Sequence, residues 1–342
     1  MKKFTLILIA ALFILYSCDE KKKPHADVTI AFYNVENLFD TIDDPSINDE
    51  EFLPEGKQKW DSKKYERKLK NMSDVLLSID TLNPPAIIGL AEVENKLVLE
   101  ELISHSGLKN YGYDIIHENS PDRRGIDVAL IFRSEFYEPE KNEWINITFP
   151  HDSSYTTRDI LYSKGKIFGD EIIHIFINHW TSRYGGAEAT APNRKFIGSL
   201  LKTKTDKILR TDPQARIIIL GDLNDNPTDV SLTESLKAKP VSEDVGSEDL
   251  YNISLAKYQN GEGTLYYRSW DLFDQIVVSG SLLKETSVVK LKSKDIQIHK
   301  PAWVLFEDNR GNKRPNRTAS GSRYYGGYSD HLPVYIVLTE GK

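Results

Sequence analysis

Cysteine, net positive charge and long hydrophobic runs are what this 342-residue sequence has least of. Cys18 is the only cysteine, which excludes an intramolecular disulfide and a cysteine-based zinc site. The formal net charge is -7, so a basic protein that binds polyanions without specificity is not indicated. No nucleophile-elbow pattern occurs in the chain, so Ser329 lacks the setting of a serine-hydrolase nucleophile.

The first apolar run, Phe4 to Tyr16, follows Met1-Lys2-Lys3 and is too short to span a membrane, a pattern typical of an export signal. It ends in Leu15-Tyr16-Ser17-Cys18, which resembles the bacterial lipoprotein signal. We therefore expect a signal peptide over residues 1–17, a lipid on Cys18 and a tether over residues 18–26. Removing residues 1–17 deletes two lysines and no acids, which changes the net charge from -7 to -9.

This signal predicts an exported protein that is lipid-anchored to a bacterial membrane, on its periplasmic or cell-surface side. An unlipidated signal peptide with an incidental cysteine is the alternative. No low-complexity linker interrupts the remaining residues, 27–342.

 The prediction is one domain over residues 27–342.

The composition of that domain, with 39% hydrophobic residues in the whole chain, allows a substantial core. Apolar, β-branched or aromatic runs predict seven buried strands: Val28 to Tyr33, Ala86 to Leu90, Val128 to Phe132, Ile172 to Ile177, Arg216 to Leu220, Gln275 to Val278 and Val334 to Leu338. Helical spacing of apolar residues predicts three helices: one capped by Ser62 with Tyr65, Leu69, Met72, Leu76 and Ile79 on its apolar face, then Leu97 to Ile103 and Phe196 to Ile208. Segments rich in Gly, Asn, Ser and charge predict two long surface loops, Ser242 to Gly263 and Asp308 to Gly327.

Polar clusters stand where these apolar runs stop. They are Asn34-Val35-Glu36-Asn37, Glu92, Asn178-His179, Gly221-Asp222-Leu223-Asn224 and Ser329-Asp330-His331. A carboxylate at the end of a buried strand needs a partner, and a hard cation is a natural one. Histidine can carry a proton, and Arg183, four residues after His179, offers paired donors to phosphate oxygens. The clusters therefore predict a metal-assisted hydrolytic site.

Each cluster also has a structural explanation. Glu92 can cap the helix that follows at Asn95, and Asn34 can simply form a turn. A calcium loop at Asp222 is excluded, because Pro227 replaces the required glycine and Thr233 replaces the bidentate glutamate.

In their order along the chain, these clusters resemble the endonuclease/exonuclease/phosphatase superfamily, and the resemblance runs from about Val28 to Leu338. It implies an α/β fold of the α+β type: a four-layer sandwich of two mixed β-sheets packed face to face, with helices on the outside. It also implies metal ligation by Asn34, Glu92 and Asp330, and catalytic roles for His179, Asp222, Asn224, Asp274 and His331. Arg158, Arg183 and Asn224 are expected to contact the substrate, Asp274 to orient His331, and Asp127 to orient His179.

Oxygen-rich ligands favour Mg²⁺, with Mn²⁺ as the alternative, and either ion lowers the barrier to phosphodiester hydrolysis. A proton acceptor for the attacking water is needed, and the sequence leaves Asp222 and His331 as equal choices. The favoured activity is that of an exported, monomeric nuclease acting on nucleic acid or another phosphodiester.

Three alternatives stay open at this point. A membrane-anchored enzyme suits a phospholipid or sphingomyelin phosphodiesterase, although no long apolar hairpin is evident. An inositol-phosphate-type phosphatase needs a basic cluster, for which the sequence offers Arg183, Arg194, Arg317 and Arg323. A surface binding protein that lost catalysis is the third alternative, because a fold does not guarantee activity.

Overall fold

Two β-sheets packed face to face form the centre of the computed structural model, which describes residues 27–105 and 107–341. The predicted signal peptide (1–17), Cys18 and the tether (18–26) lie outside the described residues. Among the helices that are described, none combines the length and the apolar content needed to cross a bilayer.

The described strands follow one another along the chain as nineteen segments. They are β1 (Val28–Leu38), β2 (Ile87–Val93), β3 (Tyr113–His117), β4 (Asp127–Arg133), β5 (Glu138–Ile145), β6 (Ile160–Ile167), β7 (Glu171–His179), β8 (Arg216–Asp222), β9 (Leu250–Asn252), β10 (Leu265–Tyr266), β11 (Trp270–Asp271), β12 (Asp274–Ser279), β13 (Val289–Leu291), β14 (Gln297–Ile298), β15 (Leu305–Glu307), β16 (Lys313–Pro315), β17 (Ala319–Ser320), β18 (Arg323–Tyr324) and β19 (Val334–Glu340). All seven predicted strands are among them.

The first sheet has the order β13-β19-β1-β2-β4-β3, with β14 also paired to β19, and the second has the order β5-β6-β7-β8-β12-β9. Each sheet contains one parallel pair at its centre, β1 with β2 and β7 with β8, and antiparallel neighbours on both sides. The carboxyl ends of the two parallel pairs carry the polar clusters. Three small hairpins, β10–β11, β15–β16 and β17–β18, lie outside the sheets.

Alternating side chains of the strands sort into three apolar layers. Ile30 and Phe32 of β1 join Ile175 of β7 and Leu220 of β8 in the layer between the sheets. The alternate residues of β1, such as Tyr33, pack under the first two helices on the outside. A third layer lies between the second sheet and the third helix. The predicted four-layer sandwich with mixed sheets is therefore confirmed.

Gly89 of β2 lets the two sheets approach closely. A Cβ atom at this position would lie 2.7 Å from Ile177 Cδ1 of the second sheet and 3.2 Å from Phe32 Cδ2. A side chain here would have to move the sheets apart or displace a well-packed neighbour.

Four α-helices are described: α1 (Ser62–Ser78), α2 (Lys96–Ser104), α3 (Ala187–Thr211) and α4 (Leu255–Gln259). Short turns of other helical types occur at Glu50–Phe52, Leu108–Asn110, Ser231–Ser235, Gly280–Leu283 and Ala302–Val304. Two capping predictions are corrected. Asp61, not Ser62, caps α1 by accepting from the Lys64 amide, and Asn95 caps α2 by accepting from the Val98 amide, which leaves Glu92 without a capping role.

The two predicted long loops differ from expectation. Ser242 to Gly263 contains β9, which forms the edge of the second sheet, and the short helix α4, so it is only partly a loop. Asp308 to Gly327 contains turns and the short strands β16, β17 and β18, and several of its residues line the cavities described below. Only the second segment thus lies next to the polar clusters.

His174, on the outer face of β7, gives a stability prediction at acid pH. Its Nδ1 lies 2.8 Å from the Tyr162 hydroxyl, and burial, with Lys164 nearby, lowers its pKa from 6.5 to about 4. Since the folded state disfavours the protonated ring, stability is complete above pH 6.5 and is lost as the pH falls towards 4. Over that pH range, we expect the free energy of unfolding of the wild type to fall by on the order of 1 to 3 kcal/mol more than that of His174→Gln, measured by urea unfolding. Parallel pH profiles for the two proteins would contradict this.

Candidate active site

The candidate active site lies where the central parallel pairs of both sheets end. Asn34 of β1 and Glu92 of β2 come from the first sheet, and His179 of β7 and Asp222 of β8 come from the second. The carboxyl ends of parallel strands expose their last side chains at one edge, which is a common position for binding sites. Here two such edges face each other.

The first sheet ends irregularly at this edge. The pairing of β1 with β2 shifts register after Asn34, and the pairing of β2 with β4 shifts after Ala91. Seven described residues other than glycine have positive φ, and four of them belong to these clusters: Glu36, Asn37, Glu92 and Asn224. Such backbone strain gathers at functional sites, because the surrounding structure must hold it in place.

Asn34 connects the two sheets. Its Nδ2 donates to Asp222 Oδ2 at 3.0 Å and lies 3.4 Å from Glu92 Oε1. The other oxygen of Glu92 accepts from the Asn37 amide at 3.0 Å, which fixes the carboxylate at this edge. The Asn34 side chain is fully buried, so its amide is a structural bridge as well as a possible ligand.

In the second sheet, strand register places three reactive side chains in one row. Asp222 of β8 is paired with His179 of β7 on one side and with Asp274 of β12 on the other. Side chains directly opposite one another in neighbouring strands share a face of the sheet. His179 Nε2 accordingly lies 3.6 Å from Asp222 Oδ2.

Gly221, which precedes Asp222, gives a second prediction. A Cβ atom at Gly221 would lie 2.2 Å from the Asn178 carbonyl oxygen, so Gly221→Ala must push β8 away from β7. We expect a loss of stability on the order of 2 kcal/mol and of phosphoesterase activity of about 100-fold, because Asp222 moves with the strand.

Gly261→Ala is the matched control for this prediction. Gly261 has a φ of 76° but no atom within 4 Å of its added Cβ, so only backbone strain is introduced, far along the chain from Asp222. Chemical denaturation and initial rates should show both effects for Gly221→Ala and only a stability loss for the control. Unchanged activity in Gly221→Ala would contradict the prediction.

His331 and Asp274 are in close contact. His331 Nδ1 lies 2.6 Å from Asp274 Oδ2, and His331 Nε2 lies 3.8 Å from Asp222 Oδ2. Burial alone would lower the pKa of His331, but the Asp274 and Asp222 carboxylates raise it well above its usual value. The expected orientation of His331 by Asp274 is present, and the ring is held as a cation.

The two histidines therefore differ in charge. Burial, together with the charges of Arg158, Arg124 and His331, holds the pKa of His179 well below its usual value. Burial raises the pKa of Asp222, although the His331 cation opposes this. A neutral imidazole and an imidazolium thus each lie within 4 Å of a carboxylate that can accept a proton, which suits proton transfer.

Asp330 and Glu36 add a second group of charges beside this row. Arg317 Nη2 donates to Asp330 Oδ2 at 2.9 Å, and Arg317 Nε lies 3.3 Å from Glu36 Oε1. Beneath them, the Nζ of the buried Lys68 donates to Thr318 Oγ1 at 2.6 Å. Burial raises the pKa of Glu36 and lowers that of Lys68, so this group is strongly desolvated.

No role was predicted for Glu36 or Lys68 from the sequence, and Arg317 was considered only for the phosphatase alternative. The spacing of Glu36, two residues after Asn34 and inside the same cluster, was a usable signal for it. Lys68 and Arg317 had none, since both reach this group across large sequence separations.

The predicted substrate contacts have mixed outcomes. Arg183 and Asn224 both line the larger cavity of the site, and Asn224 Nδ2 donates to the Trp180 carbonyl at 3.1 Å. Arg183 is held by Asp225, at 2.8 Å from its Nη2, and its guanidinium lies over the Phe273 ring.

The other two expected residues make contacts inside the protein. Arg158 is buried, and its Nη1 donates to Asp122 Oδ2 at 3.0 Å, so this carboxylate neutralises its charge. Asp127 does not orient His179, because it lies 3.0 Å from His117 Nε2 and also accepts from Ser120. His179 Nδ1 has no hydrogen-bond partner in the described part of the chain.

The charge balance of the site fits a divalent cation. Five carboxylates meet here (Glu36, Glu92, Asp222, Asp274 and Asp330) against three cations (Lys68, Arg317 and His331), which leaves an excess of two negative charges when all are ionised. Within the described ranges, Asp222, Asp274 and His331 form the one group of three such residues whose ligand atoms lie within 4.8 Å of one another. Because Asp274 already binds His331, the carboxylates of Glu92, Asp222 and Asp330 are the better donors for a hard cation.

Two cavities adjoin these charges. The smaller, of about 300 Å³, is lined by Glu36 and Asn37, and the larger, of about 1020 Å³, is lined by Asn224 and Asp330. Arg317 lines both. A phosphate at the centre would therefore have space for a substituent in each cavity.

Comparison with known proteins gives a consistent result for the family. The model of a family described as "Endonuclease/Exonuclease/phosphatase family" matches residues 29–340. A comparison with curated protein sequences gives no significant match.

Several solved structures share the fold. An endonuclease/exonuclease/phosphatase family protein from Bacteroides thetaiotaomicron is 17% identical, with a TM-score of 0.55 over 94% of this chain and 100% of that chain. A mannosyl-6-phosphatase from the same organism is 18% identical, with a TM-score of 0.54 over 91% of this chain and 99% of that chain. TDP2 of D. rerio, complexed with single strand DNA product, is 16% identical, with a TM-score of 0.54 over 92% of this chain and 100% of that chain.

These structures agree with the four-layer architecture, and the family match extends over nearly all of the described residues. The chain belongs to the endonuclease/exonuclease/phosphatase family, and its enzyme class is that of a phosphoesterase.

Proposed function

We propose that this phosphoesterase is a divalent-metal-dependent phosphodiesterase that hydrolyses nucleic acid, with Mg²⁺ as the preferred ion and Mn²⁺ as a substitute. The observation that carries the proposal is that two cavities adjoin the charged centre and share Arg317, which suits a phosphate with a substituent in each cavity. A phosphomonoester would use only one of them.

The cation would be held by Glu92, Asp330 and Asn34, with Asp222 alongside. Asn34 directs its nitrogen towards Glu92 and Asp222, so ligation through its oxygen requires the amide to turn. When bound, a divalent ion supplies Lewis-acid neutralisation of the phosphate charge.

The chain's own residues supply the proton chemistry. Asp222, with its raised pKa, accepts the proton of the attacking water. The His331 imidazolium, fixed by Asp274, donates a charged hydrogen bond to a phosphate oxygen, where negative charge develops. Neutral His179 donates a hydrogen bond to a second phosphate oxygen, and its low pKa keeps the ring uncharged.

The proposal includes an extracytoplasmic location. The apolar run that ends at Cys18 favours export and lipid attachment, with a monomeric enzyme tethered to the membrane by residues 18–26. Mass determination of the membrane-extracted protein tests this: a diacylglycerol-type mass increase on Cys18 supports the anchor, and an unmodified chain that begins at another residue contradicts it.

The two alternative substrate classes have less support. Of the four arginines suggested for an inositol-phosphate site, Arg194 is buried against Asp225, and Arg317 is paired with Asp330. The hairpins beside the larger cavity carry exposed rings with arginines next to them, which differs from the purely apolar hairpins expected for insertion into lipid.

Conversion of supercoiled plasmid to nicked circle tests the activity. We expect nicking by the purified protein with Mg²⁺, no nicking with a chelator, and none by Asp222→Asn, which also controls for contaminating nucleases. Phosphate release from a sugar phosphate, measured in parallel, is the competing result. If the protein leaves DNA intact and releases phosphate from the monoester, the proposed function is wrong.

A further inference from the structure

Exposed aromatic rings are concentrated in the larger cavity. Eleven large apolar side chains are exposed in the described part of the chain, and four of them line this one cavity: Tyr184 (92% exposed), Tyr267 (75%), Tyr325 (48%) and Phe306 (44%). Single exposed apolar residues are normal on a soluble surface, but a group of aromatic rings in one cavity marks a binding surface. We name these four residues the aromatic rim.

The members of the aromatic rim come from four separate segments. Tyr184 lies between β7 and α3, Tyr267 lies in the turn of the β10–β11 hairpin, Phe306 belongs to β15, and Tyr325 follows β18. Their convergence is therefore a product of the fold and not of a single aromatic stretch. All four share the cavity with Asp330 and Asn224 of the catalytic centre.

Arginines accompany three of the four rings. The guanidinium of Arg268 lies 5.5 Å from the Tyr267 ring centre, that of Arg314 lies 5.1 Å from Phe306, and that of Arg323 lies 5.1 Å from Tyr325. A cation on one face of a ring leaves the other face for a ligand and brings positive charge to the same place. In a chain with a net charge of -7, this local positive charge is suited to a polyanion.

We propose that the aromatic rim stacks the unpaired bases that flank the scissile phosphate, so that the enzyme prefers single-stranded nucleic acid to duplex. This inference rests on the proposed phosphodiesterase function. Every base has a face that can stack on an aromatic ring, whereas the bases of a duplex already stack on one another and must be unpaired first. A single sugar ring could stack on one aromatic ring only. Four aromatic rings in a cavity of about 1020 Å³ suit several consecutive nucleotides.

The experiment compares three substrates with the purified full chain and Mg²⁺. They are a mixed-sequence single strand, the same strand in a duplex, and the same single strand with abasic tetrahydrofuran residues in place of the nucleosides around the cleavage position. We expect kcat/KM for the single strand to exceed that for the duplex and for the abasic strand at least tenfold. The difference should lie mainly in KM, since the rings bind bases and do not touch the reacting atoms.

Variants of the aromatic rim test the residues themselves. The double variant Tyr184→Ala, Tyr267→Ala should bind base-bearing and abasic strands equally, measured by fluorescence anisotropy with Ca²⁺ in place of Mg²⁺. The double variant Tyr184→Phe, Tyr267→Phe keeps the rings and should keep the preference. Tyr155→Ala, which removes an exposed ring outside the cavity, is the control and should behave as wild type.

Two results would overturn the inference, and they are distinguishable. Cleavage of all three substrates with equal kcat/KM would reject stacking while leaving the phosphodiesterase function intact. Cleavage of none of them, with the protein folded and Mg²⁺ present, would reject the proposed function and the inference with it.

Discussion

Replacement of His331 by glutamine is expected to lower the turnover of a phosphodiester about 10³-fold while leaving the fold intact. In the wild type, Asp274 holds the ring at 2.6 Å and the nearby carboxylates keep it protonated. Glutamine can still donate a hydrogen bond, but it carries no charge. The electrostatic stabilisation of the negative charge that develops on the phosphate is therefore removed.

The measurement is kcat on a single-stranded oligonucleotide, with thermal unfolding as the check on folding. His151→Gln is the matched control, because His151 is exposed and its Nε2 lies 2.7 Å from Asn193 Oδ1, on the surface of the protein. Asp274→Asn should reduce turnover in the same direction, since it weakens the charge and orientation of the ring. Turnover of His331→Gln within tenfold of wild type would remove His331 from the mechanism.

Asp222→Asn should lower activity as much as His331→Gln does, and it should raise the stability of the metal-free protein. Loss of the proton acceptor is expected to reduce turnover by 10³-fold or more. Burial raises the pKa of Asp222 above its usual 3.8, so the ionised carboxylate destabilises the metal-free protein. Asparagine removes that charge and keeps the shape, so the variant should unfold at a higher temperature than wild type in chelator at pH 8.

The pH dependence of this stability difference follows from the raised pKa of Asp222. A raised pKa in the folded state means that protonation stabilises the protein below about pH 4, and this stabilisation is lost as the pH rises through the raised value. The advantage of Asp222→Asn should therefore shrink as the pH is lowered from 8 towards 5.

Metal addition should reverse the order of stability. Mg²⁺ stabilises the wild type by binding to its folded state, and the variant gains much less. Asp170→Asn, on the exposed turn between β6 and β7, is the control and should change neither activity nor the metal response. Equal stabilisation of wild type and Asp222→Asn by Mg²⁺ would contradict a role for Asp222 beside the ion.

The central strands were predictable from sequence because both faces of each are buried, so they appear as continuous apolar runs such as Ile172 to Ile177. The outer strand β5 was missed, since seven of its eight residues are exposed or half-buried and it carries charges throughout. β6 was missed because lysines and a glycine interrupt its pattern. Sequence therefore identifies the middle of each sheet better than its edge.

For the site, the same logic applies to residues at strand ends. Asn34, Glu92, His179, Asp222 and Asp274 stand at the ends of central strands, and the structure brings them together with Asp330 and His331. The pairing of Arg158 with Asp122 was not predicted, because Asp122 lies in a loop 36 residues away and no local pattern reveals the pairing. Long-range ion pairs of this kind need the fold itself.

The division of the site between two sheets has a consequence for mutational scanning. The contact of 3.0 Å between Asn34 and Asp222 depends on the spacing of the sheets, which Gly89 sets at its close approach to Ile177. A valine at Gly89 would change that spacing, and misplacement by about 1 Å can cost 100-fold in rate. A scan scored by activity alone would thus place core positions such as Gly89 among the catalytic residues, whereas a parallel score for protein abundance would separate them, because only the core variants lose stability.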